Sequence, residues 1–244
     1  MKGFQYKLLI PSAITSLNLV AGLIAILLVF KGEFRWAGYS IIGASVLDFL
    51  DGFVARALKA TSDFGKELDS LADVVTFGVA PGFLMYGWDL NLQVLPNAQG
   101  QIDTYLWSWL CLILPVFAAL RLAWFNIDSS QKEGFRGVPT PAMSLFFVGI
   151  CFLGLDFPNS WIAQVLQIRF VIPILCCVFA LLMVIPLPLL ALKFNHGFGI
   201  KKNAVKYLLM GISLGALLLW QISAFSGIIL FYLVVSGISR IKLN

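Results

Sequence analysis

Charge is scarce in this sequence. Asp, Glu, Lys and Arg make up 12% of 244 residues, about half the share found in soluble domains, and His196 is the single histidine. Strict alternation of apolar and polar residues over strand-length stretches is missing as well, which argues against a transmembrane β-barrel. No basic stretch is interleaved with aromatics. The net charge of +5 therefore reads as basic loops facing an anionic leaflet and not as a nucleic-acid surface. The four cysteines, Cys111, Cys151, Cys176 and Cys177, lack metal-ligand spacing and fall inside apolar runs, where they read as packing residues. No low-complexity linker or internal repeat divides the chain, so the expectation is one domain over 1–244.

What the sequence has in excess is hydrophobicity: 60% apolar residues and a mean hydropathy of +0.92. Eight apolar runs lie near 8–30, 36–58, 65–88, 104–126, 139–156, 168–192, 203–219 and 221–239. A bilayer-spanning helix needs about 20 residues, so these runs predict an all-α, polytopic membrane bundle of about eight helices. The first run follows Lys2 and Lys7 but is too long for a signal-peptide core and lacks a small-x-small cleavage site, so it reads as a retained helix. With the N-terminus cytoplasmic, 14 of the 17 Lys and Arg fall on that side and 3 on the other. This asymmetry predicts a cell inner-membrane protein with both termini cytoplasmic.

The stretches between runs, chiefly 89–103, 127–138 and 193–202, are too short to build cores of their own. Chemistry is therefore expected between helices or at the membrane surface. His196 reads as a solvated loop residue, and "IPLPLL" (185–190) as the kink or end of the sixth helix, because proline removes a backbone donor.

Against this background, residues 48–73 hold five aspartates and a glutamate. At ~100° per residue, Asp48, Asp51, Gly52, Ala55 and Lys59 share one stripe of the second helix. Gly65, Asp69, Ala72, Asp73, Thr76 and Ala80 share one of the third. Small residues beside acids leave room for a ligand as well as for close helix packing. Pairing with Arg56, Lys59 and Lys66 accounts for Asp63 and Glu67 near the loop. It accounts poorly for the other four, since a mid-helix carboxylate costs about 2.5–3.5 kcal/mol in a membrane. A divalent-cation site explains them, because hard cations take carboxylate oxygens together with substrate phosphates. A structural or ion-conducting cluster is the alternative, and a conducting one would need polar residues through the far half of the bilayer.

The pattern Asp48-x-x-Asp51-Gly52-x-x-Ala55-Arg56, eight residues, then Gly65-x-x-x-Asp69-x-x-x-Asp73 resembles the signature of the CDP-alcohol phosphotransferase family at every fixed position. The resemblance implies a six-helix core, here with two helices added, and a homodimer. It also implies two ions, Mg²⁺ or Mn²⁺, held by Asp48, Asp51, Asp69 and Asp73, with Asp73 as general base and Gly52, Ala55, Arg56, Ser62 and Gly65 contacting the CDP group.

"IPSAITSLNLVAG" (10–22), "SLADVVTFGVAP" (70–81), "RLAWFN" (121–126) and "FRGVPTPA" (135–142) resemble the family's phosphatidylserine synthase branch. That branch implies transfer of a phosphatidyl group from CDP-diacylglycerol to L-serine with release of CMP. Thr15, Asn18, Arg121 and Arg136 become candidate contacts to lipid donor or serine. Trp124 stands where the branch often carries a basic residue. Sister activities on glycerol 3-phosphate or inositol phosphate, or an ether-lipid archaetidylserine synthase, share the same signature.

Overall fold

The computed structural model describes residues 2–93, 106–127, 137–187, 189 and 200–241. Every regular element among them is helical. α1 (Lys2–Phe30) and α2 (Phe34–Ala57) form a hairpin. Its turn is set by Gly32 at φ 75°, with the Glu33 amide donating to the Leu28 carbonyl at 2.9 Å, the left-handed closure that glycine adopts without penalty. α2 ends the same way at Lys59, φ 50°, where the Ala60 amide reaches the Ala55 carbonyl at 2.9 Å.

α3 (Asp63–Asp73) starts on a Ser62 cap whose hydroxyl oxygen accepts from the Gly65 amide. It passes through a π turn (Val74–Val79) into α4 (Ala80–Gln93). There follow α5 (Ile113–Ile127), α6 (Thr140–Asp156), the short α7 (Trp161–Leu166), α8 (Val171–Val184), α9 (Ile200–Trp220) and α10 (Ala224–Ile241).

Helices stand at all eight expected positions, with differences in length. Among the described residues, five stretches are long and apolar enough to cross a membrane: Leu9–Phe30, Phe34–Ala57, Asp63–Gln93, Leu106–Ile127 and Tyr207–Gly237. The last holds both α9 and α10, broken by a tight turn at Gln221–Ser223 with Gln221 at φ 49°. α6 and α8 are shorter. α8 stops at Val184 and not near 192, with Ile185 extended at ψ 132°, because the residue before Pro186 is steered out of helical geometry. The chain is a multi-pass membrane protein.

Polarity of the bundle follows from two contacts at one end. Arg35, at the start of α2, pairs with Asp156, at the end of α6, at 2.6 Å, and the Ser223 hydroxyl donates to the same carboxylate at 3.3 Å. The start of α2, the end of α6 and the α9–α10 break thus meet at the end remote from Asp48 to Asp73. α6 is the central helix, buried on all sides, with Phe146 stacked on Phe179 of α8 at 4.0 Å. Exposed Leu17, Val20, Leu23 and Leu27 of α1 form an outward apolar face, as lipid contact requires.

Close approach depends on small residues. A methyl group on Gly78 would come within 2.8 Å of Ala118 and one on Gly82 within 2.9 Å of Pro115, which seats α5 against the π turn and α4. At Gly22 a methyl would lie 2.9 Å from the Thr76 backbone Cα, so α1 would have to leave the π turn. Gly22→Ala should cost about 1–3 kcal/mol and lower the unfolding temperature in detergent. Gly43→Ala, with nothing within 4 Å, should raise it, since alanine is the better helix former by ~1 kcal/mol.

One expectation is corrected here. Residues 89–103 read as an extramembrane stretch, yet 89–93 continue α4. Asp89 is 1% exposed and accepts from the Ser108 hydroxyl at 2.6 Å. That bond lets a carboxylate end a buried helix turn.

Candidate functional site

α2 arrives at the site and α3 leaves it, so the loop 58–62 brings the acids of both helices together. One oxygen each from Asp48, Asp51 and Asp69 lies within 4.8 Å of the other two. Asp73, buried one turn below Asp69, interacts electrostatically with Asp48, Asp69 and Asp51, though it is not one of the three whose oxygens share that spacing. Asp69 Oδ1 and Asp73 Oδ1 are buried with no partner among the described residues. Three oxygens at that spacing suit a cation with bonds of about 2.0–2.6 Å, and the oxygen-only donor set suits a hard divalent ion rather than zinc or copper. The residues therefore fit such an ion.

Above the acids opens a cavity of 460 Å³. It is lined by Thr15 on α1, by Asp51, Gly52, Ala55 and Arg56 on α2, and by Ser62, Gly65, Lys66 and Asp69 around the start of α3. Thr15 Oγ1 is 2.7 Å from Asp51 Oδ2 and 3.0 Å from the Pro11 carbonyl. Its single proton favours the carboxylate, the stronger acceptor, and holds that side chain in place. Arg56 is exposed on the wall and forms no ion pair among the described residues. Gly52 lies one turn earlier, and a methyl there would make ordinary contact with Arg56 Nη1 at 3.4 Å. The Ser62 oxygen accepts from Gly65 at 3.0 Å, so the hydroxyl proton is available to a ligand.

Other candidates lie deeper or elsewhere. Asn18 is fully buried, and its backbone carbonyl accepts from the Thr76 hydroxyl at 3.2 Å. Arg121, on α5, is close enough to Asp73 for their charges to interact. Neither lines the open cavity. Trp124 is 60% exposed and points away from the bundle. Arg136 lies outside the described residues.

Sequence reasoning missed several features. The π turn begins directly after Asp73, so the ~100° stripe of the third helix does not continue past it; Thr76 instead meets α1 at Asn18. Pro81 carried the signal, because it cannot donate to the Phe77 carbonyl and its ring crowds it; a wider turn relieves both, and π turns gather at functional sites. Lys66, which the sequence offers as a partner for nearby acids, lines the cavity. A cation in the first turn of a helix opposes the macrodipole, which hints at another purpose. The Asn126 amide donates to Ser70 at 2.9 Å and ties α5 to α3, a pairing no local pattern announces.

A family model described as CDP-alcohol phosphatidyltransferase matches residues 8–182, from α1 through α8 and short of α9 and α10. Among curated relatives, the CDP-diacylglycerol–serine O-phosphatidyltransferase of Bacillus subtilis (strain 168) is 39% identical over 148 residues, 61% of this chain and 75% of the relative. The protein of that name from Methanocaldococcus jannaschii is 40% identical over 144 residues, 58% of this chain and 60% of the relative. That from Mycobacterium leprae is 37% identical over 161 residues, 63% of this chain and 50% of the relative. The aligned part thus spans only half to three quarters of the length of these relatives.

Proposed function

The chain belongs to the CDP-alcohol phosphatidyltransferase family, and on that premise we propose that it transfers a phosphatidyl group from CDP-diacylglycerol to the hydroxyl of L-serine, releasing CMP. The observation that carries this reading is the acidic cluster forming the floor of a cavity whose walls present Arg56, Lys66 and the Ser62 hydroxyl. Anion-binding walls over a carboxylate floor suit a pyrophosphate bridged to cations. The serine identity is supported by the names of the relatives. The same reading takes the protein to be a homodimer in the cell inner membrane, with the acidic end toward the cytoplasm.

In this account Arg56 offers its fork of donors to the pyrophosphate, with Lys66 and the Ser62 hydroxyl beside it. Gly52, Ala55 and Gly65 let the nucleotide approach the backbone. Asp48, Asp51, Asp69 and Asp73 hold two divalent ions, Mg²⁺ or Mn²⁺, which when bound supply positive charge to the phosphates. Thr15 fixes the Asp51 rotamer. Asp73 takes the proton from the serine hydroxyl as its oxygen bonds to the lipid-side phosphorus. The bond from that phosphorus to the CMP oxygen then breaks.

The test is incorporation of labelled serine by the purified full chain. Label should enter lipid only when CDP-diacylglycerol is supplied, in amounts equal to the CMP released. CMP release with glycerol 3-phosphate or inositol phosphate incorporated instead would move the protein to a sister activity. Cation flux into sealed vesicles without CMP would defeat the enzyme reading altogether.

A further inference from the structure

Below the acidic cluster, four helices present buried polar atoms that the described residues leave unsatisfied: both amide atoms of Asn18 on α1, Asp73 Oδ1 on α3, Arg121 Nε on α5, and the hydroxyls of Thr140 and Ser144 on α6. Asn18, Thr140 and Ser144 are each 0% exposed.

Their directions converge. On α6, Val148 and Phe152 abut Gly38 of α2, while Gly154 abuts Trp88 of α4. At ~100° per residue, Thr140 and Ser144 lie between those two directions. They face the π turn that follows Asp73, on which α6 packs. Because Asp156 marks the remote end of α6, Thr140 and Ser144 stand at the acidic end. The Asn18 backbone carbonyl accepts from Thr76, and helical side chains tilt toward the N-terminus, so the Asn18 side chain leans toward the level of Asp73. Arg121 on α5 interacts electrostatically with Asp73.

Buried polar groups without partners are costly, and native proteins keep few of them. A group drawn from four helices around one carboxylate points to a ligand. The set asks for a small molecule with an anionic group for Arg121 and a proton for Asp73. It also asks for further polar atoms to meet hydroxyls and an amide, which both donate and accept. A hydroxy-amino acid has that chemistry.

We propose that Thr140 and Ser144, together with Asn18, form the seat of the acceptor alcohol beneath the cation site, and that the two α6 hydroxyls set which acceptor is taken. This deepens the reading above, which names that acceptor as L-serine.

The test varies serine and CDP-diacylglycerol separately with Thr140→Val, Ser144→Ala and Thr140→Ser in the full chain. Thr140→Val and Ser144→Ala should each raise the KM for serine about three- to tenfold, the range for one lost hydrogen bond, with the KM for CDP-diacylglycerol unmoved. Thr140→Ser should restore most of the serine affinity. Protection of the fold by serine against heating, measured without donor, should weaken in Thr140→Val.

A serine KM that stays put while thermal stability rises would overturn the proposal, because it marks a dry packing site relieved of a polar atom. Parallel loss in both KM values would overturn it in favour of a structural role. Should the wild-type chain use another alcohol, the serine reading fails by itself, and the seat is judged on that alcohol's KM: a shift upholds it and constancy overturns it.

Discussion

Asp73→Asn should lower serine transfer by at least about 10³-fold while the protein still inserts and folds. General-base catalysis contributes about 10²–10⁴ in rate, and the same side chain interacts electrostatically with Asp48, Asp69 and Asp51. Asparagine keeps the shape and removes both the proton acceptor and the negative charge. Stability should move the opposite way: with one charge fewer among four crowded carboxylates, the cation-free protein should unfold at a higher temperature, a trade common at catalytic positions. Activity within tenfold of wild type would remove Asp73 from the chemistry. Equal loss of activity and fold would make it structural.

Removal of divalent cations should have an effect of similar size. After exhaustive chelation, transfer should fall to background and return on addition of Mg²⁺ or Mn²⁺. Heating should report the same event without catalysis. A cation that binds only the folded state stabilises it by about 2.7 kcal/mol at a hundredfold excess over Kd, a rise of a few degrees for a chain of this size. Asp51→Asn should blunt that rise, since Asp51 supplies one of the three clustered oxygens. Turnover that survives chelation undiminished would sink the cation-dependent mechanism.

Much of the site was legible because its determinants are local. Asp48 to Arg56 lie on one helix, Gly65 to Asp73 on the next, and the linker between them is short enough to bring both acidic turns to one end. The Ser62 cap and the proline stop after α8 are likewise local chemistry. The π turn was legible only through Pro81, because a regular helix and one with an added residue share the same apolar pattern until Gly22 of α1 and Ala118 of α5 close on Thr76 and Gly78. Asp89 was misplaced for a similar reason: its polarity argued for a loop, and only Ser108, 19 residues on, makes its burial tolerable.

By itself, the sequence determined a helical membrane protein, two acid-bearing helices and the motif that identifies the family, since hydrophobic run length and helical spacing act over neighbouring residues. The tertiary structure decided what converges beneath the acids. Arg35 meets Asp156, Asn126 meets Ser70, and α6 packs on the π turn that follows Asp73. Those pairings depend on how helices far apart in the chain rotate and pack, and side-chain volume at each crossing sets that only once all the helices are in place.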